Sequence, residues 1–335
     1  MQDMLLPLEE VVRRIEEGRV LLLSGEEDLL RQLPKGKWIA GTIPYFVTAS
    51  QGGMVCRDRV FVTDITDRIT GADFVTYDRQ TVSQVYTDGP RHGFSVIIVP
   101  AACETHLTFA VNAPTYEDFA IRPLIGWVSG LHLGADADQK PRIFNGMTGE
   151  ILNDGAVVLH ATLPADKVAE IGIINLFEPG GGDILMFPKG GFTISDMLVN
   201  GMKRNFASYL TQYGFDTKVP LVADYYGAHV NCSIQDVDEL TGQVKLYAPV
   251  FPGMHYKLAR PVPDYVATFQ EKLKRGQPQD PDTIVFSCNC ILNYLYSELE
   301  GKKTDPFYGP VTIGEIAYQL LNQTLVYLKI VDSRP

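Results

Sequence analysis

Apolar residues in this chain fall into short runs, and four of those runs head the same local order: a strand, a helical stretch, a Gly-containing strand and a hairpin partner. The first strands read Val20-Leu-Leu-Leu-Ser-Gly25, Ser95-Val-Ile-Ile-Val-Pro100, Asp183-Ile-Leu-Met-Phe-Pro188 and Asp282-Thr-Ile-Val-Phe-Ser-Cys288. Each closes on small or turn-forming residues, as a strand buried on both faces does. The second strands, Trp38–Ile43, Pro123–Gly130, Pro220–Gly227 and Gly309–Ile316, all interrupt or end an apolar run with Gly. The closing strands are Arg59–Asp64, Ala156–Ala161, Gln243–Ala248 and Thr324–Lys329, and three of them alternate apolar with polar residues for part of their length. That alternation suits a strand with one wetter face.

Successive units start at residues 20, 95, 183 and 282, offsets of 75, 88 and 99. Such drift excludes a solenoid, where one period is nearly fixed. It fits a duplicated domain with divergent loops: an α/β protein of two similar halves, four strand-helix-strand-strand units in all, with mixed sheets covered by helices.

Helical spacing is clearest over residues 5–18, where Leu5, Leu8, Val11, Val12 and Ile15 share a face and Gly18 ends the element. Ser24–Leu33 supplies an N-cap, acidic first-turn residues and an apolar stripe, and Thr193–Leu210 is expected as the helix of the third unit. The stretch from Leu163 to Asp183 reads as the junction between halves. This divides the chain into an amphipathic helix at 1–18, a first half at 19–165 and a second at 166–335. Its three glycines, Gly180–Gly182, precede a strand and lack the Gly-Lys-Ser/Thr ending of a phosphate loop, so they read as a flexible turn.

Composition narrows the function classes. Among 335 residues, 45% are hydrophobic and 21% charged, ordinary globular values. The net charge of -11, 29 basic against 40 acidic residues with no basic run, argues against nucleic acid and anionic membrane as partners. Five cysteines without a secretion signal suggest reduced thiols and a cytoplasmic location, and no apolar run approaches the length of a spanning helix. No cofactor motif is present. Exposed closing strands would allow a homodimer.

Two groups of motifs carry a family resemblance. Ile125-Gly-Trp-Val-Ser-Gly130, Arg142-Ile-Phe-Asn-Gly146 and Asp154-Gly-Ala-Val-Val158 resemble the N-terminal half of the FIST sensory domain. Ile284–Cys288, Gly309-Pro-Val-Thr-Ile-Gly-Glu-Ile-Ala317 and Asn322-Gln-Thr-Leu-Val326 resemble its C-terminal half. The most specific element is Gly-Glu-Ile followed by Asn-x-Thr. The resemblance implies an intracellular input module of bacterial signal transduction that binds a small ligand, amino-acid-like in the family, without catalysis. After Cys288 the family often places a small pair and then Arg, whereas Asn289-Cys-Ile-Leu292 stands here. With no output region attached, such a sensor would report through a separate signalling protein.

Ligands of α/β sheets sit outside the carboxyl ends of strands. Those ends offer Ser24, Cys103, Lys189, Cys288, Asn289 and Cys290 after first strands, and Thr42, Tyr45, Trp127, Ser129, Tyr225 and Glu315 on or after second strands. Cys288, Asn289 and Glu315, backed by Trp127, Thr42 and Tyr45, form the expected pocket for a small polar ligand. Glu315 interrupts an apolar strand, so its carboxylate needs a cation, several donors or a proton. It serves either a ligand or a structural tie to the backbone or Arg122. The enzymatic rival is a thiol acyl hydrolase, with Cys288 at a strand-to-helix turn, His229 as base and Asp224 or Glu315 orienting it, and the other rival is a structural protein-interaction module with neither turnover nor ligand. Cys288-Asn-Cys290 has one residue between its thiols, against two in metal knuckles, and no metal site is assigned.

Overall fold

The apolar runs pair into sheets because each carries β-branched and aromatic residues on both faces and needs cover above and below. The computed structural model describes residues 4–136, 138–225 and 228–333, with no account of the Tyr225 and Ala228 side chains. It is a mixed α/β protein, with 27 strands in five sheets and six α-helices among the described residues.

Three six-stranded sheets repeat one plan. In the first, Leu21–Gly25 lies between Val60–Asp64, antiparallel to it, and Trp38–Thr42, parallel to it. In the second, Gly93–Pro100 lies in the same way between Ala156–Thr162 and Leu124–Ser129. In the third, Ile284–Cys290 lies between Thr324–Asp332 and Gly309–Thr312. A further strand borders each closing strand: Leu5–Leu6, Gly71–Tyr77 and Lys167–Asn175 respectively.

The second strand of each sheet is bordered by a hairpin that the chain supplies from elsewhere. Ile143–Asn145 and Glu150–Leu152, which lie in the chain between the second sheet's Leu124–Ser129 and Ala156–Thr162, complete the first sheet. Gly314–Ala317 and Gln319–Leu321 complete the second, and Tyr45–Thr48 and Gly52–Val55 complete the third. Hairpin exchange therefore runs in a ring through all three sheets, across residue 165. At its centre the second strands end in register, with Thr42 opposite Gly25, Ser129 opposite Pro100 and Thr312 opposite Cys290. Close approach there is demanding: a Cβ on Gly130 would lie 2.3 Å from Ile313 Cγ1 and 3.3 Å from Ile43 Cδ1.

The third unit departs from the plan. Its strands form two antiparallel sheets in which Leu185–Met186 and Leu221–Tyr225 flank Tyr256–Leu258 and are not neighbours. The helix expected over Thr193–Leu210 is instead the strands Gly191–Ile194, Asp196–Val199 and Met202–Asn205, with a helix only at Phe206–Gln212. Asn200 and Gly201 adopt φ of 50° and 86°, the paired left-handed conformation that Asn-Gly favours in a two-residue hairpin, and this overrides the helical spacing. The stretch read as the junction between halves contains the nine-residue strand Lys167–Asn175, at the edge of the third sheet. The N-terminal helix starts only at Leu8, because Leu5–Leu6 pairs with Phe61 and Val60 and Pro7 sets the helix entry. The helix after Ser24 shrinks to Glu27–Leu30, Ser24 itself lying in the strand.

Backbone contact between parallel strands makes Gly126 indispensable: a Cβ there would sit 1.8 Å from the Ile97 carbonyl oxygen, whereas one on Gly181 meets nothing within 4 Å. Gly126→Ala is expected to lower stability by roughly 3 kcal/mol or more, and Gly181→Ala to stay within about 0.5 kcal/mol of the parent. Urea unfolding midpoints of the two variants check this pair.

Candidate functional site

Glu315 lies fully buried in Gly314–Ala317, directly across from Trp127 on the neighbouring strand. Directly opposed residues of an antiparallel pair share a face, so both side chains enter the apolar cluster that also holds Cys288, Phe286 and Leu321. Thr324 Oγ1 donates to Glu315 Oε2 at 3.1 Å, while Oε1 has no protein partner. No cation lies within ion-pair distance of Glu315 among the described residues. Burial therefore pushes its carboxyl up from an ordinary 4.5 to about 8, opposed by the neighbouring Cys290 thiol, the Thr324 hydroxyl and backbone N–H groups. At neutral pH the group is chiefly the neutral acid.

Around it runs a connected polar network. Asn289 Oδ1 accepts from Cys290 N at 2.9 Å and Asn293 Nδ2 at 3.0 Å, and Asn293 Oδ1 accepts from Tyr265 OH at 2.8 Å. Gln323 Nε2 donates to Tyr265 OH (3.4 Å) and to the Lys218 carbonyl (3.1 Å), while Gln323 Oε1 accepts from Ser233 Oγ at 2.6 Å. Asn322 Oδ1 accepts from Ser233 N at 3.1 Å, and Asn231 Nδ2 donates to the Asn322 carbonyl at 3.1 Å. Gln323 is buried and held at φ of 50° in the short connection between Gln319–Leu321 and Thr324–Asp332. Such a backbone persists only where its surroundings over-determine it, which here means three side-chain hydrogen bonds. Besides Glu315 Oε1, the buried atoms Asn289 Nδ2, Asn322 Nδ2 and Trp127 Nε1 have no protein partner.

The fold thus brings Trp127, Cys288, Asn289 and Glu315 into one region. Thr42 and Tyr45 do not join its network. Thr42 Oγ1 accepts from Arg142 N at 3.0 Å, and Tyr45 OH accepts from Leu133 N at 3.0 Å while its ring stacks on His132 at 5.6 Å. Arg122 lies away from Glu315, paired with Asp118 at 3.2 Å. Cys288 is inside the strand Ile284–Cys290, not at its turn, and Cys290 is the residue that precedes the helix Ile291–Tyr296. Cys288 Sγ donates to the Gly126 carbonyl at 3.4 Å, and burial together with the nearby Glu315 charge pushes both thiols well above their ordinary value. His229 is exposed on Ala228–Cys232, paired in register with Asp224. Among the described residues no group of three or more His, Cys, Asp or Glu side chains is placed to hold a metal ion, and no helix is long and apolar enough to cross a membrane.

Sequence reasoning missed Asn231, Ser233, Tyr265 and Asn293, and it quoted Asn322-Gln-Thr324 without assigning those residues a role. A signal existed. Three polar residues in a row between two apolar strands, and two asparagines, Asn289 and Asn293, within an otherwise apolar strand-to-helix stretch, both mark a polar cluster inside a core.

The fold and this cluster define a mixed α/β protein with a neutral carboxylic acid at the meeting of two exchanged sheets. The chain belongs to a family of unknown function, DUF6976, whose model matches residues 6–331. No curated protein matches the chain.

Because the folded value of Glu315 lies above its unfolded one, the stability tied to it is complete below about pH 4.5 and is lost as pH rises through 8. A shift of that size is worth roughly 5 kcal/mol between those limits. Glu315→Gln, which keeps the shape and cannot ionise, is expected to remove this component. The difference between wild-type and variant unfolding free energies, measured from pH 4.5 to 9, should track the loss. A difference independent of pH would show that Glu315 is not the titrating group.

Proposed function

We propose that this chain is a ligand-binding sensory module of FIST type, acting in the cytoplasm without catalytic turnover and reporting to a separate signalling protein. The observation that carries the reading is the contact between the two motifs most specific to the resemblance. Glu315 of Gly-Glu-Ile accepts from Thr324 of Asn-x-Thr, and Asn322 of the same motif is held by the Ser233 backbone. A small polar molecule with matched donors and acceptors would satisfy the unpaired carboxyl oxygen of Glu315 and the unpaired amides of Asn289 and Asn322.

The thiol-hydrolase alternative is less well supported. A nucleophilic cysteine needs an accessible thiolate, whereas Cys288 is buried with its thiol held protonated. The exposed His229 ring is not positioned on the buried thiol by any hydrogen bond.

Thermal-shift titration of the purified chain with amino acids, carboxylates and nucleotides tests the proposal. One chemical class should raise the melting temperature, since a ligand at 100 times its dissociation constant adds about 2.7 kcal/mol. Glu315→Ala should abolish that rise. Silence toward every class, or an undiminished rise in the variant, overturns this reading of the cluster. Alkylation gives an independent check: Cys288 should react with iodoacetamide only in denaturant.

A further inference from the structure

A second site lies in the unit that breaks the repeat, independent of the Glu315 cluster. A cavity of about 500 Å³ opens between Gly180–Asp183, the segment Gly214–Val219 and Leu258–Val262. A neighbouring cavity of about 310 Å³ shares Asp183 and Tyr209 with it. Volumes of this order suit a small organic ligand.

Its walls have a definite chemistry. Tyr209, Tyr213 and Phe215 cluster with ring centroids 5.2 to 5.9 Å apart, Tyr209 and Phe215 lining the larger cavity and Tyr209 and Tyr213 the smaller. Two carboxylates flank the rings. Asp183 accepts only from neutral groups, Asn200 Nδ2 at 2.7 Å and Tyr209 OH at 3.0 Å, and Asp216 Oδ1 accepts from Lys218 N at 2.9 Å. Neither has a cation within ion-pair distance among the described residues. The cation lining the larger cavity, Arg260, is directed to Glu178 at 3.6 Å, while Arg204 lines the smaller one. Opposite, a Cβ on Gly181 or Gly182 would meet nothing within 4 Å, so these glycines leave the space open.

Aromatic faces are negative, and beside unpaired carboxylates they favour a positive charge carried on an apolar body. We propose that this cavity binds a small organic ammonium ion, its cationic head over Tyr209 and Phe215 between Asp183 and Asp216.

Isothermal titration of the full chain with choline, with benzyltrimethylammonium and with 3,3-dimethylbutanol, the neutral isostere of choline, tests the assignment. At least one cation should bind ten-fold or more tighter than the neutral alcohol, weakening as salt is raised. Phe215→Leu and Asp216→Asn should each reduce that affinity at least five-fold. Gly181→Phe, whose Cβ would meet nothing within 4 Å, should block binding while the unfolding midpoint stays near wild type. Equal binding of cation and isostere, binding of neutral hexoses in place of cations, no binding of either cation, or indifference to all three substitutions would overturn the proposal.

Discussion

The costliest feature of this structure is a carboxyl group buried without a counterion. Ionised, Glu315 would be strongly disfavoured in the apolar cluster it occupies, so the fold keeps it protonated and supplies the Thr324 hydroxyl to one oxygen. That requirement spreads outward. Thr324 is placed by the connection at Asn322–Gln323. Gln323 is held in a left-handed conformation by Ser233, Tyr265 and Lys218, and Tyr265 is oriented in turn by Asn293. Removing one member exposes the others to the penalty of unpaired burial, which makes the network cooperative.

The same residues sit where the chain exchanges hairpins between sheets. Gly314–Ala317 belongs in sequence to the last unit and in space to the second sheet, so Glu315 meets Trp127 from the other side of residue 165. Such exchange covers each second strand with a hairpin from another unit and moves the sheet edge to that hairpin's short outer strand. It also means that no sheet of the ring can be completed without the others. Gly41 and Gly130 permit the close approach of the sheets, since a Cβ on either would overlap a side chain of another unit, Ile98 and Ile313 respectively.

Much of this ring was legible from residues alone. The strands headed by Val20, Ser95 and Asp282, their parallel partners and their closing strands form, because a doubly buried strand leaves a strong apolar run, but the single strand expected over Gly309–Ile316 breaks at Ile313 into Gly309–Thr312 in the third sheet and Gly314–Ala317 in the second. Hairpin exchange was not legible. Tyr45–Thr48 reads equally well as continuing its own sheet or joining another, since local sequence fixes strand character and turn geometry fixes only the nearest pairing. In the third unit, Asn200-Gly201 outweighed an apolar spacing compatible with a helix, and it was the stronger of the two signals. Glu315 stood out because a lone acid in an apolar strand demands an explanation. Asn231 and Ser233 did not, because their importance comes from Asn322 and Gln323, about ninety residues away.

Burial also weighs against thiol chemistry. Cys288 and Cys290 flank the acid, and a thiolate beside a carboxyl in a medium that disfavours charge is penalised twice, by desolvation and by repulsion once Glu315 ionises. Raising the pH therefore does not release a nucleophile here. As pH rises through about 8 the acid ionises first, and its charge drives the thiols further toward the protonated form. An active thiol needs the reverse arrangement, a cation or helix N-terminus close by, and the six-residue helix beginning at Ile291 is preceded by Cys290, whose thiol that same carboxyl keeps protonated. What the arrangement does support is neutral hydrogen bonding: an acid that can donate as well as accept, set among amides that can do both.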